Sequence, residues 1–207
     1  MKTETVKIIS TGEGRDKALE LTEKAGAFCG LDGKSALRLR LLSEELIELI
    51  RPFEGDLQGD FWMEAEDRNV EIHLKAEVPM DLKTRSELLA VSSSGKNAAA
   101  KGIIGKIREM IAVATLPDDP ETRVMADQAL GLIALGSQVG SHYGGSEAYS
   151  WSMSGYVTGI NTSIADLDAK QEAQDELERS IVANLADEVK VNIVNSDVEV
   201  VIYKAFG

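Results

Sequence analysis

A strand, two helices and an alternating hairpin follow one another in the first 78 residues, and that order sets the strongest limit on the fold. Val6 to Ile9 reads as a short strand. Thr11-Gly-Glu-Gly supplies a turn, and Arg15 to Phe28 places Ala18, Leu21, Ala25 and Phe28 at helical spacing. Gly30-Leu-Asp-Gly33 stops that helix. Ser35 is expected to cap a second helix, which runs to about Arg51 and ends at Pro52. Leu39, Leu42, Leu46, Leu49 and Ile50 form one broad apolar stripe on it, and Leu37 and Leu41 lie on another side near Glu44 and Glu48. A helix apolar on two sides is expected to be sandwiched.

The hairpin follows. Phe61, Met63 and Ala65 point one way, and after Asp67-Arg-Asn69 the residues Val70, Ile72, Leu74, Ala76 and Val78 repeat the alternation. Such a hairpin has one face to cover. Leu82 to Val91 and Gly102 to Val113 look helical, separated by a Ser/Gly/Ala-rich stretch, and Pro120 to Leu135 could form another helix. Gly136 to Gly159 is rich in Gly and Ser but carries Tyr143, Tyr149, Trp151 and Tyr156, which argue against a solvated linker. Ile164 to Ala186 reads as a helix that is polar at first and apolar near its end. Val189 to Ile193 and Val198 to Tyr203 close the chain as a second hairpin. Strands at both ends with helices between them predict a two-layer α/β sandwich, a mixed and mostly antiparallel sheet with helices on one face. One domain over residues 1–207, with an irregular insertion at about 116–163, is the expected organisation.

Charge narrows the partners. The 35 acidic side chains outnumber the 22 basic ones, for a net charge of −13, which repels nucleic-acid phosphates and anionic lipid. One cysteine and two histidines cannot assemble a disulfide framework or an ordinary zinc site. The N-terminus lacks a signal-peptide core, and no apolar run is long enough to span a bilayer, so a cytoplasmic protein is expected.

Ser43-Glu-Glu-Leu-Ile-Glu48 is the main candidate site. Glu44 and Glu48 share one helical face, where carboxylates could meet a metal-bridged triphosphate or activate a water. Arg40 and Arg51 lie four residues before Glu44 and three after Glu48, so an ordinary ion-paired stripe accounts for the same residues. Gly95-Lys-Asn-Ala-Ala-Ala-Lys-Gly-Ile-Ile-Gly105 would bring Lys96, Lys101 and backbone amides to the start of a helix, a place that favours phosphate. A flexible loop capped onto a surface helix explains it equally well. Gly95-Lys96-Asn97 lacks the upstream glycine and the hydroxyl residue of a Walker loop.

The order of elements over residues 5–78, the link Phe28-Cys-Gly-Leu-Asp-Gly-Lys-Ser35, the motif Ser43-Glu44 to Glu48 and the closing Ala186-Asp-Glu-Val-Lys-Val segment together resemble the anti-sigma-factor serine kinases. These are bacterial members of the histidine-kinase-like ATPase superfamily. The resemblance implies ATP and magnesium as ligands, Glu44 as the base, and Glu48 where the family has a magnesium-binding Asn. It further implies an adenine-reading acid after the second hairpin strand. The family's Asp-x-Gly-x-Gly loop is replaced here by Lys75-Ala-Glu-Val-Pro-Met-Asp81, so Glu77 or Asp81 would take the carboxylate's place. Gly95, Lys96, Lys101 and Gly102 would form the phosphate side. The implied activity is nucleotide binding with phosphoryl transfer to a regulatory protein partner, in a chain that could act as a homodimer. The alternative is a signalling interaction module that has lost nucleotide binding and uses the aromatic segment at 143–156 as a partner surface.

Overall fold

The computed structural model describes residues 1–53, 56–78, 102–114, 137–143, 146–164 and 167–207. Strand β1 (Val6–Ile9) leads to helices α1 (Arg15–Phe28) and α2 (Gly33–Glu48), then to the hairpin of β2 (Gln58–Glu66) and β3 (Asn69–Glu77). Helix α3 (Ile103–Ala114) precedes a second hairpin, β4 (Ser137–Tyr143) and β5 (Ser146–Ser152). Helices α4 (Met153–Ser163), α5 (Leu167–Arg179) and α6 (Ile181–Leu185) come next. The hairpin of β6 (Glu188–Val194) and β7 (Asp197–Ala205) closes the chain.

The seven strands form one sheet in the order β1-β2-β3-β7-β6-β5-β4. Every described pairing is antiparallel, so the expected two-layer α/β sandwich is built on a sheet without a parallel pair among these strands. Alternation decides the layers. Phe61 and Met63 on β2, Ile72 and Leu74 on β3, Val200 and Ile202 on β7, and Val191 and Ile193 on β6 are all buried and face the helical layer. Burying each such side chain contributes about 1.5–3 kcal/mol. Helix α1 packs on β1, β2 and α2, while α2 packs on β3, β7 and α6. Helix α3 sits against α6 and β6, and α4 against β5 and β6.

Local chemistry sets the element ends. Asp67 (φ 54°) and Asn195 (φ 55°) take the left-handed conformation at the tips of the β2–β3 and β6–β7 hairpins, where short side chains with local hydrogen-bonding capacity are tolerated. Helix α1 ends in a Schellman arrangement: Gly30 (φ 60°) donates to Ala27 O at 3.1 Å and Leu31 N donates to Gly26 O at 3.0 Å. Asp32, rather than the expected Ser35, caps α2; its carboxylate accepts from Ser35 N at 2.8 Å. The helix stops at Glu48, one turn before Pro52.

Four other expectations are corrected. Phe28 is exposed at the end of α1, and Leu37 is exposed on α2, so that side of α2 is not sandwiched at Leu37. The helix expected over 164–186 is two helices, because Ser180 leaves the helical conformation and caps α6 through Ala183 N at 3.2 Å. Within the expected irregular insertion, residues 137–143 and 146–163 form a hairpin that extends the sheet and a helix that covers it. Their alternation is masked by Gly and Ser, which carry too little apolar surface to show it. The helices expected over 82–91 and 120–135 lie outside the described residues.

Gly14 precedes α1 with φ 81°, and an added Cβ would lie 2.0 Å from the Lys7 carbonyl oxygen. Gly14→Ala is therefore expected to lower unfolding stability by about 2–4 kcal/mol, because both a left-handed residue and a backbone clash must be relieved. Urea denaturation of the two proteins checks it.

Candidate functional site

Leu42, Leu46 and Leu49 turn one side of α2 and its C-cap residue into the core, and 3.6-residue periodicity puts Glu44 and Glu48 one turn apart on the opposite side. Arg15, at the start of α1, reaches across to both. Its Nη2 is 3.8 Å from Glu44 Oε1 and its Nε is 3.9 Å from Glu48 Oε1. Arg40 Nε lies 3.2 Å from Glu44 Oε1, Arg40 Nη1 lies 2.8 Å from Glu23, and Arg51 Nη1 lies 3.2 Å from Glu48 Oε1. The pair is thus an ion-paired ridge with three guanidinium partners. Its side chains keep 27% and 36% of their exposure, so each contact is worth about 0–1 kcal/mol.

Glu45 and Arg108 occupy the next side of α2. Arg108 projects from α3, is almost fully buried, and donates from Nε to Leu49 O at 3.3 Å and from Nη2 to Glu48 O at 2.6 Å. It serves carbonyls at the end of α2, where helical amides run out, and shares Glu48 O with Arg51 N at 3.3 Å. Burial pushes Arg108 below its ordinary range, while Glu48 and Glu45 oppose that shift. Burial likewise raises the Glu45 carboxyl, opposed by Arg108 and reinforced by Glu48 and Glu44.

Beyond this cap, Leu49, Ile50 and Phe53 meet Leu74 and Ala76 of β3 and Ile111 of α3 around an apolar pocket. The space left inside is ≈ 10 Å³, room for about one water. An adenine ring enters only if these side chains separate.

The remaining expected site residues do not gather here. Glu77 ends β3 exposed and opposite Asp197, and strand alternation puts it on the other face from Ala76 and Val78, away from α2. It does not join the Glu44–Glu48 ridge as a base-reading acid. Gly102 is buried against Ser180, whose Oγ would be 3.2 Å from an added Cβ. The Ser180 hydroxyl accepts from Ile103 N at 3.3 Å as well as from Ala183 N, so the first amide of α3 already has an acceptor. Gly102 thus permits a close approach of backbones. Asp81, Gly95, Lys96 and Lys101 lie outside the described residues.

Among the described residues there is no group of three or more His, Cys, Asp or Glu able to hold a metal ion. With Arg51 and Arg15 on Glu48, the described side chains do not fit magnesium as they stand. No protein-family model, curated protein or solved structure matches the chain. No described helix is long and apolar enough to cross a membrane.

Sequence reasoning missed Arg15, Arg108 and Ser180. One signal was available: Arg108 stands four residues after Ile104 and three before Ile111, a lone charge on an apolar helical side. The long reach of Arg15 from α1 leaves no mark in local spacing.

Two outcomes follow from this geometry. Arg108→Met keeps the aliphatic stem but removes one donor from Leu49 O and one from Glu48 O, the latter keeping Arg51 N at 3.3 Å, and is expected to cost about 1–3 kcal/mol in chemical denaturation. Because Glu45 has a raised folded pKa, its ionised form weakens the fold at neutral pH. Glu45→Gln is expected to be more stable than the parent at pH 7, with the gain vanishing as pH falls through the raised value toward the ordinary 4.5. Urea midpoints measured across that range test the sign.

Proposed function

We propose that the chain is a nucleotide-binding regulatory domain of the histidine-kinase-like ATPase type, similar to anti-sigma-factor serine kinases and acting on a regulatory protein partner. The observation that supports this reading most is the meeting of four segments at one apolar pocket. The turn that follows α2, just past Glu44 and Glu48, the end of β3, the start of β7 and Ile111 of α3 converge there. This lies directly beside the end of β3, where the resemblance expects the base to be read. In this reading Glu44 accepts a proton from the partner's hydroxyl, and Lys96, Lys101 and the amides near Gly102 meet the phosphates. Asp81 is the base-reading acid that remains once Glu77 falls on the opposite face. Nucleotide entry separates Leu49, Phe53 and Ile111 and loosens the arginine contacts on the acidic ridge.

A second reading is a sandwich that serves signalling without nucleotide. The neutralisation of Glu44 and Glu48 by Arg15, Arg40 and Arg51, and the occupation of the Ile103 amide by Ser180, favour it. The aromatic surface first expected for such a module is not available at Trp151 and Tyr156. Both are buried, with ring centroids 5.9 Å apart.

Titration of the protein with ATP and ADP, with and without magnesium, by calorimetry and thermal shift separates the two. The nucleotide reading expects micromolar binding, worth about 8 kcal/mol, weakened by Lys101→Ala with or without magnesium. Absence of heat and of any thermal shift at millimolar nucleotide overturns it.

A further inference from the structure

The sheet face turned away from the described helices holds a histidine that is only 8% exposed. His73 on β3 lies opposite Trp62 of β2 and Val201 of β7. Its ring stacks on the indole, with centroids 4.6 Å apart and planes 10° from parallel. Nε2 lies 3.4 Å from Glu71 Oε2, and Nδ1 lies 3.7 Å from Glu199 Oε1. Both nitrogens are buried without a hydrogen-bond partner among the described residues. A neutral imidazole has a single N–H, so it offers a donor to one carboxylate and a lone pair to the other. A second proton makes both nitrogens donors and sets a cation against the indole face.

We propose that His73 is a proton-operated clamp: on protonation the imidazolium closes on Glu71 and Glu199 together, tying β3 to β7 across the outer face of the sheet, and on deprotonation one of these contacts is released. The two nitrogens face different carboxylates, and no three-residue metal group exists among the described residues, so the proton is the ligand.

The charged neighbours are known on each adjoining strand. From β2, Glu64 is held by Lys2 Nζ at 2.8 Å and by Trp62 Nε1 at 3.2 Å, and Asp60 is paired with Lys7 at 3.3 Å. From β3 come Glu71 and Lys75, the latter 3.8 Å from Asp197. From β7 come Glu199 and Tyr203, whose ring lies 4.9 Å from Lys190 Nζ of β6. The hydrogen bonds from Lys2 and Trp62 hold Glu64 below the usual carboxylate range. Burial, with Glu71, Glu199 and Glu188, pushes the Tyr203 phenol above its usual value. Neither group therefore changes charge between about pH 5 and about pH 8, the interval in which histidine does so.

Stacking makes the switch visible, because an imidazolium accepts an electron from the excited indole and a neutral imidazole does not. Trp62 and Trp151 are the two tryptophans, so Trp151→Phe isolates the reporter. Its emission is expected to fall roughly twofold or more, along a one-proton curve, as pH drops from about 8 to about 5. His73→Gln should flatten the curve, and Glu71→Gln or Glu199→Gln should move its midpoint to lower pH. His142→Gln, which removes the only other histidine, should leave it unchanged. Should Trp151→Phe fail to fold, the ring-proton NMR titration of His73 in the parent chain, assigned with His142→Gln, reads the same midpoint and its shift in Glu199→Gln. PH-independent emission, the same curve in His73→Gln, or a midpoint indifferent to both carboxylates overturns the clamp.

Discussion

The nine-residue antiparallel ladder between β3 and β7 carries the architecture. It runs from Asn69 opposite Ala205 to Glu77 opposite Asp197, and it joins strands separated by more than half of the chain. Without it, β1, β2 and β3 form one small sheet and β4 to β7 another, each with an open edge and half a core. With it, Ile72 and Leu74 stand beside Ile202 and Val200 as one apolar surface, and α2 lies across the seam by packing on both strands. The same pairing sets His73 between Trp62 and Val201 on the opposite face. Loop-closure entropy makes such a long-range pairing costly to form, and the cost is offset by the burial it completes on the helical side.

The helical layer is fastened at its ends by polar contacts between segments distant in sequence. Arg108 of α3 serves the carbonyls of Glu48 and Leu49 at the end of α2, Ser180 accepts from the Ile103 amide of α3 and the Ala183 amide of α6, and Arg15 of α1 spans the acidic ridge of α2. Each fastening also limits chemistry. The amide at the start of α3 and the carboxylates of α2 are the groups a phosphate or a metal ion would use, and each has an internal partner. A nucleotide would therefore have to compete with contacts inside the protein, and a protein partner on the ridge would meet carboxylates whose charge is already offset.

Local patterns transferred well from sequence to structure where one face of an element is buried. The β2–β3 and β6–β7 hairpins, the stop at Gly30 and the apolar stripe of α2 all follow from period and turn chemistry. The candidate site was legible only in part. The one-turn spacing of Glu44 and Glu48 fixed their common side, but strand alternation set Glu77 on the far face, a consequence that was open to reading from Ala76 and Val78. Arg15 and the bond of Ser180 to α3 were not legible, since those partners lie 29 or more residues away. The 137–152 hairpin was obscured because its Gly and Ser residues carry little hydrophobic signal, although Trp151 turned out to be core.

The sequence alone determined the elements with strong periodicity, the two-layer class, the acidic balance and the ion-pairing capacity of the Ser43–Glu48 turn. These depend on neighbours within a turn of helix or a hairpin, where the chain's geometry is fixed by covalent spacing. Tertiary structure decided the strand order, the sense of the β1–β2, β3–β7 and β5–β6 pairings, the burial of Arg108 and His73, and the internal partners of the carboxylates and amides of the candidate ligand site. Those features depend on which distant surfaces meet, and they follow from covering the apolar faces of the whole sheet at once rather than from any single segment.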